Sequence, residues 1–193
     1  MSTLRLTIQK LENALKSHSM TKHEVEGSRT LAAVTVLFTM NNQELSVLMI
    51  KRAEALRNHS GQWAFPGGMI EDSDKSSMHA ALRETNEELG IGSDDIDIWC
   101  QMPKVDTSTG FEVFPYAGQV SESVNITPDS AEVADVVYVP VRVFVDQSSK
   151  RSITILKNGT TRIIDAYVYE GRVIWGASAR IIANTINIVK EAA

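Results

Sequence analysis

Arg83-Glu84-Thr85-Asn86-Glu87-Glu88-Leu89-Gly90-Ile91 is the stretch on which the reading of this chain turns. The residues from Ser76 to Leu89 follow a helical pattern, with Ser76 or Ser77 placed to cap the start and Gly90 to stop it. A helix advances by about 100° per residue, so Glu87 falls about 60° to one side of Glu84 and Glu88 about 40° to the other. Three carboxylates thus share one face within a turn. Without a counterion they repel one another, and the helix dipole disfavours anions near a C-terminus. A divalent cation against that face would offset both costs, and hard oxygen ligands suit Mg²⁺ or Mn²⁺. The alternative is a solvated acidic face paired with nearby Lys or Arg.

Two neighbours tilt the balance toward a cation. Gly67-Gly68 lies upstream, where a missing side chain lets the backbone approach a ligand closely. Arg83 stands beside the first Glu, placed to brace the cluster by a charge-assisted bond. Further outward, Thr30–Met40 and Leu45–Lys51 read as a strand pair turning at Asn41-Asn42-Gln43. Arg52–Pro66 reads as irregular. After the carboxylate helix, Ile96–Met102, Glu112–Val120 and Val136–Val139 read as strands. Ile153–Leu156 and Arg162–Tyr169 flank Asn158-Gly159, a hairpin signal. Ala177–Lys190 is a final amphipathic helix. Strands mixed with helices in this order predict a mixed sheet with helices against its faces.

Gly67-Gly68 … Arg83-Glu84-x-x-Glu87-Glu88-x-Gly90-Ile91 resembles the Nudix box of the Nudix hydrolases, which use divalent metal to cleave nucleoside diphosphates linked to another group. The resemblance implies an α/β/α sandwich with a mixed β-sheet and a strand–loop–helix–loop catalytic motif. The usual box has a Glu six positions after the second Gly and an Arg fourteen after it. Here Asp74 takes the sixth position and Arg83 the fifteenth, so the loop carries one extra residue. Thr85 stands where an aliphatic residue is usual.

The run from Ile50 to Gly68, containing Leu56-Arg57-Asn58-His59-Ser60-Gly61-Gln62-Trp63-Ala64-Phe65-Pro66-Gly67-Gly68, is similar to the signature of the coenzyme A pyrophosphatase branch. Trp63 replaces a small aliphatic residue there. Val105–Pro115 and Trp175-Gly176 are similar to the same branch. The narrower resemblance implies cleavage of coenzyme A or a derivative into 3′,5′-ADP and 4′-phosphopantetheine. Other substrates with the same chemistry are ADP-ribose, a dinucleoside polyphosphate or a damaged nucleotide. A Nudix-fold binding module without turnover is the alternative from another class, and the complete Glu cluster argues against it.

Within that resemblance, Glu84, Glu87 and Glu88 are the candidate metal ligands, with a backbone carbonyl of Gly67 or Gly68 (Gly68 preferred) supplying another oxygen. The general base is Glu84, through a metal-held water, or Glu132 in a late loop. Arg52, Arg57, His59 and Gln62 are the candidate substrate contacts, Arg recognising phosphate and His and Gln adding hydrogen bonds. Arg83 is structural support. His79 reads as an ordinary helix-surface residue, and Met69, Met78 and Met102 as packing.

The whole-chain arithmetic is compatible with this and adds exclusions. The chain has 193 residues, 43% of them hydrophobic, and a formal charge of −5. That length suits one domain, divided here into an N-terminal helix and linker (1–26) and the Nudix-like domain (27–193). The acidic balance excludes an overall nucleic-acid footprint. A single cysteine, Cys100, excludes an internal disulfide and reads as a buried strand thiol. Met1–Lys16 lacks a signal-type apolar run, and the longest apolar stretches, such as Leu31–Met40, are too short to span a bilayer. The expectation is a cytoplasmic protein with a small nucleotide substrate and no membrane or nucleic-acid partner. Leu4, Ile8, Leu11 and Leu15 form a helical stripe that fits either a homodimer interface or packing on the chain's own domain.

Overall fold

The computed structural model describes residues 7–18, 29–55, 59–157 and 159–192. Helix α1 (Ile8–Ser17) is capped by the Thr7 hydroxyl, which accepts from the Lys10 amide. Strands β1 (Thr30–Asn41) and β2 (Glu44–Arg52) form the expected hairpin, with Asn42 and Gln43 in the left-handed region at its tip. The stretch expected to be irregular, Arg52–Pro66, contains one short strand, and a second follows directly after it. β3 (Trp63–Ala64) pairs with β2, and β4 (Gly67–Met69) pairs with β1. Helix α2 (Ser77–Leu89) follows. The Ser76 side chain accepts from the His79 amide at its start, and Gly90 closes its end at φ 69°.

The chain then lays down β5 (Ile96–Gln101), β6 (Val105–Asp106), β7 (Phe111–Val120) and β8 (Val133–Pro140). These join one mixed sheet in which β1 runs parallel to β7, while every other pairing is antiparallel. After a short helix α3 (Arg142–Val145), β9 (Lys150–Lys157), β10 (Thr160–Tyr169) and β11 (Arg172–Trp175) build a second, three-stranded antiparallel sheet, and helix α4 (Gly176–Glu191) ends the fold.

Strand alternation sends successive β1 side chains to opposite faces. Ala33, Thr35 and Leu37 meet α2 and its surroundings, where Ala80, Ala81 and Leu89 are fully buried. Val36 and Phe38 meet the other layer, made by Leu11 and Leu15 of α1, Ile181, Ile182 and Ile186 of α4, and Tyr167 and Ile174 of the small sheet. The result is the expected α/β/α layering. Leu11 and Leu15 are wholly buried in the chain's own core, so the stripe on the first helix is used internally. Leu4 lies outside the described residues.

Two smaller readings need correction. Met102 is buried, but Met69 and Met78 are exposed on the surface. Cys100 is partly covered rather than fully buried, and burial pushes its thiol up to about 11, which keeps it protonated and unreactive. Among the described residues no helix is long and apolar enough to cross a membrane.

Candidate active site

Short strand β4 lies across the C-terminal half of α2, because Ala33 and Val34 of β1 hold Gly68 and Gly67 in register. This brings Gly68 against Glu84. A Cβ on Gly68 would lie inside 3.0 Å of every carboxylate atom of Glu84, so only glycine leaves the Glu84 side chain where it is. Gly67 is constrained differently. Its φ is 144°, and a Cβ there would run into the Ala33 carbonyl and the Val34 backbone.

Arg83 organises the acidic face, and its side-chain nitrogens make five bonds. Nε and Nη2 donate to the two oxygens of Asp74 at 3.1 and 3.0 Å, and Nη2 also reaches the Met69 carbonyl at 3.1 Å. Nη1 donates to Glu84 at 3.0 Å and to Glu87 at 2.9 Å. One guanidinium thereby spans the box loop and two of the three box carboxylates. Its pKa is raised, chiefly by the Asp74 bond.

Asp74 is the anchor of this arrangement. Its side chain is fully covered, and it accepts from His79 Nδ1 at 2.8 Å and from the Glu71 amide at 2.9 Å besides Arg83. The Arg83 bond, followed by the backbone and His79 bonds, holds its carboxyl well below the usual range. The extra loop residue therefore places an aspartate on the Arg. Sequence reasoning had no way to see that His79, although on the helix surface, joins the same network.

Glu88 is wholly buried. One oxygen accepts the Gly67 amide at 2.9 Å, and the other accepts Arg52 Nη1 at 3.2 Å. Burial nevertheless pushes its carboxyl up to about 8, with Glu84 and Glu132 adding to the rise. Glu84, mostly covered, is raised by the same cause and by its acidic neighbours Glu87 and Glu132. Glu132 is tied down by its own carbonyl, which accepts the Ala53 amide at 2.8 Å, and its charge reaches both Glu84 and Glu88. Glu87 is the most exposed of the three box acids.

The candidate substrate contacts divide. Arg52 reaches Glu88 and so belongs to the carboxylate face. His59, at φ 56°, donates from Nδ1 to Gln62 Oε1 at 3.0 Å and lies 3.3 Å from Thr109 Oγ1 through Nε2. His59 and Gln62 therefore bind each other and the β6–β7 loop. Arg57 lies outside the described residues. Thr85, the unusual box residue, is fully buried; it donates to the Ala81 carbonyl at 2.7 Å and pairs with Thr35 at 2.8 Å, tying α2 to β1.

A divalent cation fits this donor set by its chemistry. Glu84, Glu88 and the backbone of Gly68 offer hard oxygens, and the space left by Gly68 is filled by the Glu84 carboxylate. Among the described residues no three His, Cys, Asp or Glu side chains converge on one point. Glu84 and Glu87 are turned toward Arg83, and Glu88 toward Arg52 and Gly67. Loading a cation means drawing carboxylates away from these cationic partners.

Residues 29–157 match the NUDIX domain family. The Nudix hydrolase NudL of Cronobacter sakazakii is 33% identical over 150 residues, covering 78% of each chain. The NudL protein of Citrobacter koseri is 31% identical over 175 residues, covering 89% of this chain and 91% of its own. Among solved structures, a MutT/nudix family protein from Enterococcus faecalis superposes with a TM-score of 0.61 over 97% of this chain and 71% of its own, at 18% identity, a likeness of fold.

Proposed function

The chain belongs to the Nudix hydrolase family, and from that premise we propose that it hydrolyses coenzyme A or a derivative to 3′,5′-ADP and 4′-phosphopantetheine, with Mg²⁺ or Mn²⁺ as cofactor. The observation that carries the chemistry is the packing of Gly68 on Glu84 beside buried Glu88. The substrate class rests on the two stretches similar to the coenzyme A pyrophosphatase branch, which His59 and Thr109 bring into contact.

In this reading Glu84, Glu88 and the Gly68 carbonyl would hold the cation, with Glu87 as a further ligand, and the chemistry it would supply there is neutralisation of phosphate oxygens and acidification of a water. Water attacks one phosphorus of the diphosphate and the bridging P–O bond breaks. Glu84 or Glu132 takes the proton of the attacking water, and the bridging oxygen leaves with the other phosphate. Arg52, beside Glu88, holds a substrate phosphate, and Arg57 supplies a second positive charge. His59 and Gln62 add hydrogen-bonding groups beside the box, held by their contact with each other and with Thr109. Arg83, pinned by Asp74, keeps Glu84 and Glu87 from splaying apart.

The test is a panel of coenzyme A, ADP-ribose, NADH and diadenosine polyphosphates, incubated with Mg²⁺ or Mn²⁺ and resolved by chromatography. Release of 3′,5′-ADP and 4′-phosphopantetheine supports the assignment. Turnover of ADP-ribose without coenzyme A would move the substrate class while keeping the chemistry. Binding without turnover of any compound would make the protein a ligand-binding module.

A further inference from the structure

Helix α2 ends in carbonyls that no helical amide can reach. Two of them are taken by a later loop. Leu89 accepts the Thr127 amide at 2.8 Å, and Glu88 accepts the Asp129 amide at 3.0 Å. Gly90 leaves room for this approach, since a Cβ there would run into the Thr127 hydroxyl. The segment from Thr127 to Val133 is therefore strapped to the backbone of Glu88, the residue whose carboxylate faces Gly67 and Arg52.

Asp129 folds the strap. Its carbonyl accepts the amides of Glu132 at 3.0 Å and Val133 at 2.8 Å, and its Oδ1 accepts the Ala131 amide at 2.9 Å. Amide, carbonyl and carboxylate of one residue thus close the turn that ends in Glu132. The far end of the turn is fastened to β2, where the Glu132 carbonyl accepts the Ala53 amide at 2.8 Å. Val133 pairs there with Arg52, at a shift in the β2–β8 register, and such irregularities re-aim side chains beside active sites.

Glu132 is half-buried, and its carboxylate has no hydrogen bond or ion pair with a described residue. Glu84 and Glu87 are bonded to Arg83, and Glu88 to Arg52 and Gly67. Of these four acids, Glu132 alone can take a proton without first releasing a partner among the described residues. With no side-chain bond to hold it, its place is set by its backbone. Asp129 is exposed, so its side chain serves the turn rather than the core.

We propose that Asp129 is the positioning residue for Glu132, holding it at a fixed place beside the Glu84–Glu88 face by tying its turn to the Glu88 carbonyl. The proposal rests on the hydrolase reading and selects Glu132 over Glu84 as the general base. Asp129 does not touch substrate; it acts through Glu132.

The experiment uses the full chain with Mn²⁺ and a compound of the panel that the wild type turns over. Glu132→Gln lowers kcat by roughly 10²-fold, the range of a lost general base. Asp129→Ala lowers kcat by roughly 10-fold, the cost of a misplaced base, and leaves KM within about twofold. Asp129→Asn, whose amide oxygen still accepts from Ala131, recovers most of the loss. In the Glu132→Gln background Asp129→Ala has no further effect, because the two residues act as a unit. Amide hydrogen exchange gives a readout that needs no turnover: the Asp129, Ala131 and Glu132 amides are protected in the wild type, and Asp129→Ala speeds exchange at Ala131 and Glu132. Should Asp129→Ala not fold, exchange of the Ala131 and Glu132 amides in the wild type at the rate of a free peptide overturns the proposal. Wild-type kcat in Asp129→Ala or in Glu132→Gln overturns it, as does an undiminished effect of Asp129→Ala in the Glu132→Gln background. A wild type that turns over no compound of the panel marks failure of the hydrolase reading itself, which takes this proposal with it.

Discussion

Gly67 and Gly68 are neighbours that the structure requires to be glycine for different reasons, and replacing each by alanine separates catalysis from stability. At Gly68 the backbone is outside the left-handed region, so alanine is conformationally allowed. Its Cβ collides only with the end of the Glu84 side chain. To recover an ordinary contact the carboxylate must withdraw by about 1 Å, a displacement of the size that costs roughly 10²-fold in rate when a catalytic group is misplaced. The fold loses little, since the Glu84 carboxylate is the mobile end of a flexible chain; under about 1 kcal/mol, or less than about 4 °C in a chain of this length, is expected. At Gly67 the φ of 144° and the collision with the Ala33 carbonyl and Val34 backbone cannot be relieved by a rotamer change. A loss of about 3 kcal/mol or more follows, or roughly 6–12 °C. Thermal unfolding and steady-state hydrolysis of coenzyme A, measured on both variants, form the assay. Gly68→Ala with full activity, or with a Tm loss matching that of Gly67→Ala, would refute the placement of Glu84 against the glycine pair.

Three further outcomes follow from the same geometry. Glu88→Gln keeps an acceptor for only one of its two donors, the Gly67 N–H or Arg52, and removes a carboxylate charge that burial opposes, so turnover falls by roughly 10²-fold or more while the circular dichroism spectrum is retained; activity near wild type would place the metal elsewhere. Asp74→Asn weakens the pair that pins Arg83 and costs about 2 kcal/mol at neutral pH. Because the folded carboxyl lies below its unfolded value, this contribution is full above about pH 5 and shrinks as pH falls below about 4; denaturant titrations in which the gap between wild type and variant stays constant with pH would contradict it. Thr85→Val strands the Thr35 hydroxyl and destabilises by about 1–3 kcal/mol, whereas Thr35→Val with Thr85→Val recovers much of that loss; additive single effects in the double-mutant cycle would deny the coupling.

The long elements were legible because their periodicity extends over many residues. Helix α2 announced itself through Ser76, its carboxylates and Gly90, and α4 through its apolar side. β4, β6 and β11 have two to four residues each, too few for alternation to show; they exist because longer strands supply a paired edge. Glu84, Glu88 and Gly68 could be proposed as partners because one helix turn and one glycine pair limit the options. The Asp74–Arg83–His79 network was hidden because it depends on how the box loop folds back over the helix. Arg52 shows the same limit: it reads as a candidate substrate contact at the start of an irregular stretch, and only the fold brings it to Glu88, 36 positions away. His59 and Thr109 meet across 50 positions of sequence, a contact no local pattern encodes.

The claim on which the rest depends is that the face bearing Glu84 and Glu88 takes a divalent cation. Titration of the purified chain with Mn²⁺, followed by electron paramagnetic resonance of the free ion, addresses it without needing a substrate. The account predicts saturable binding in the wild type, lost or weakened at least about tenfold in the Glu84→Gln, Glu88→Gln double variant. Undiminished Mn²⁺ binding in a folded double variant would contradict it.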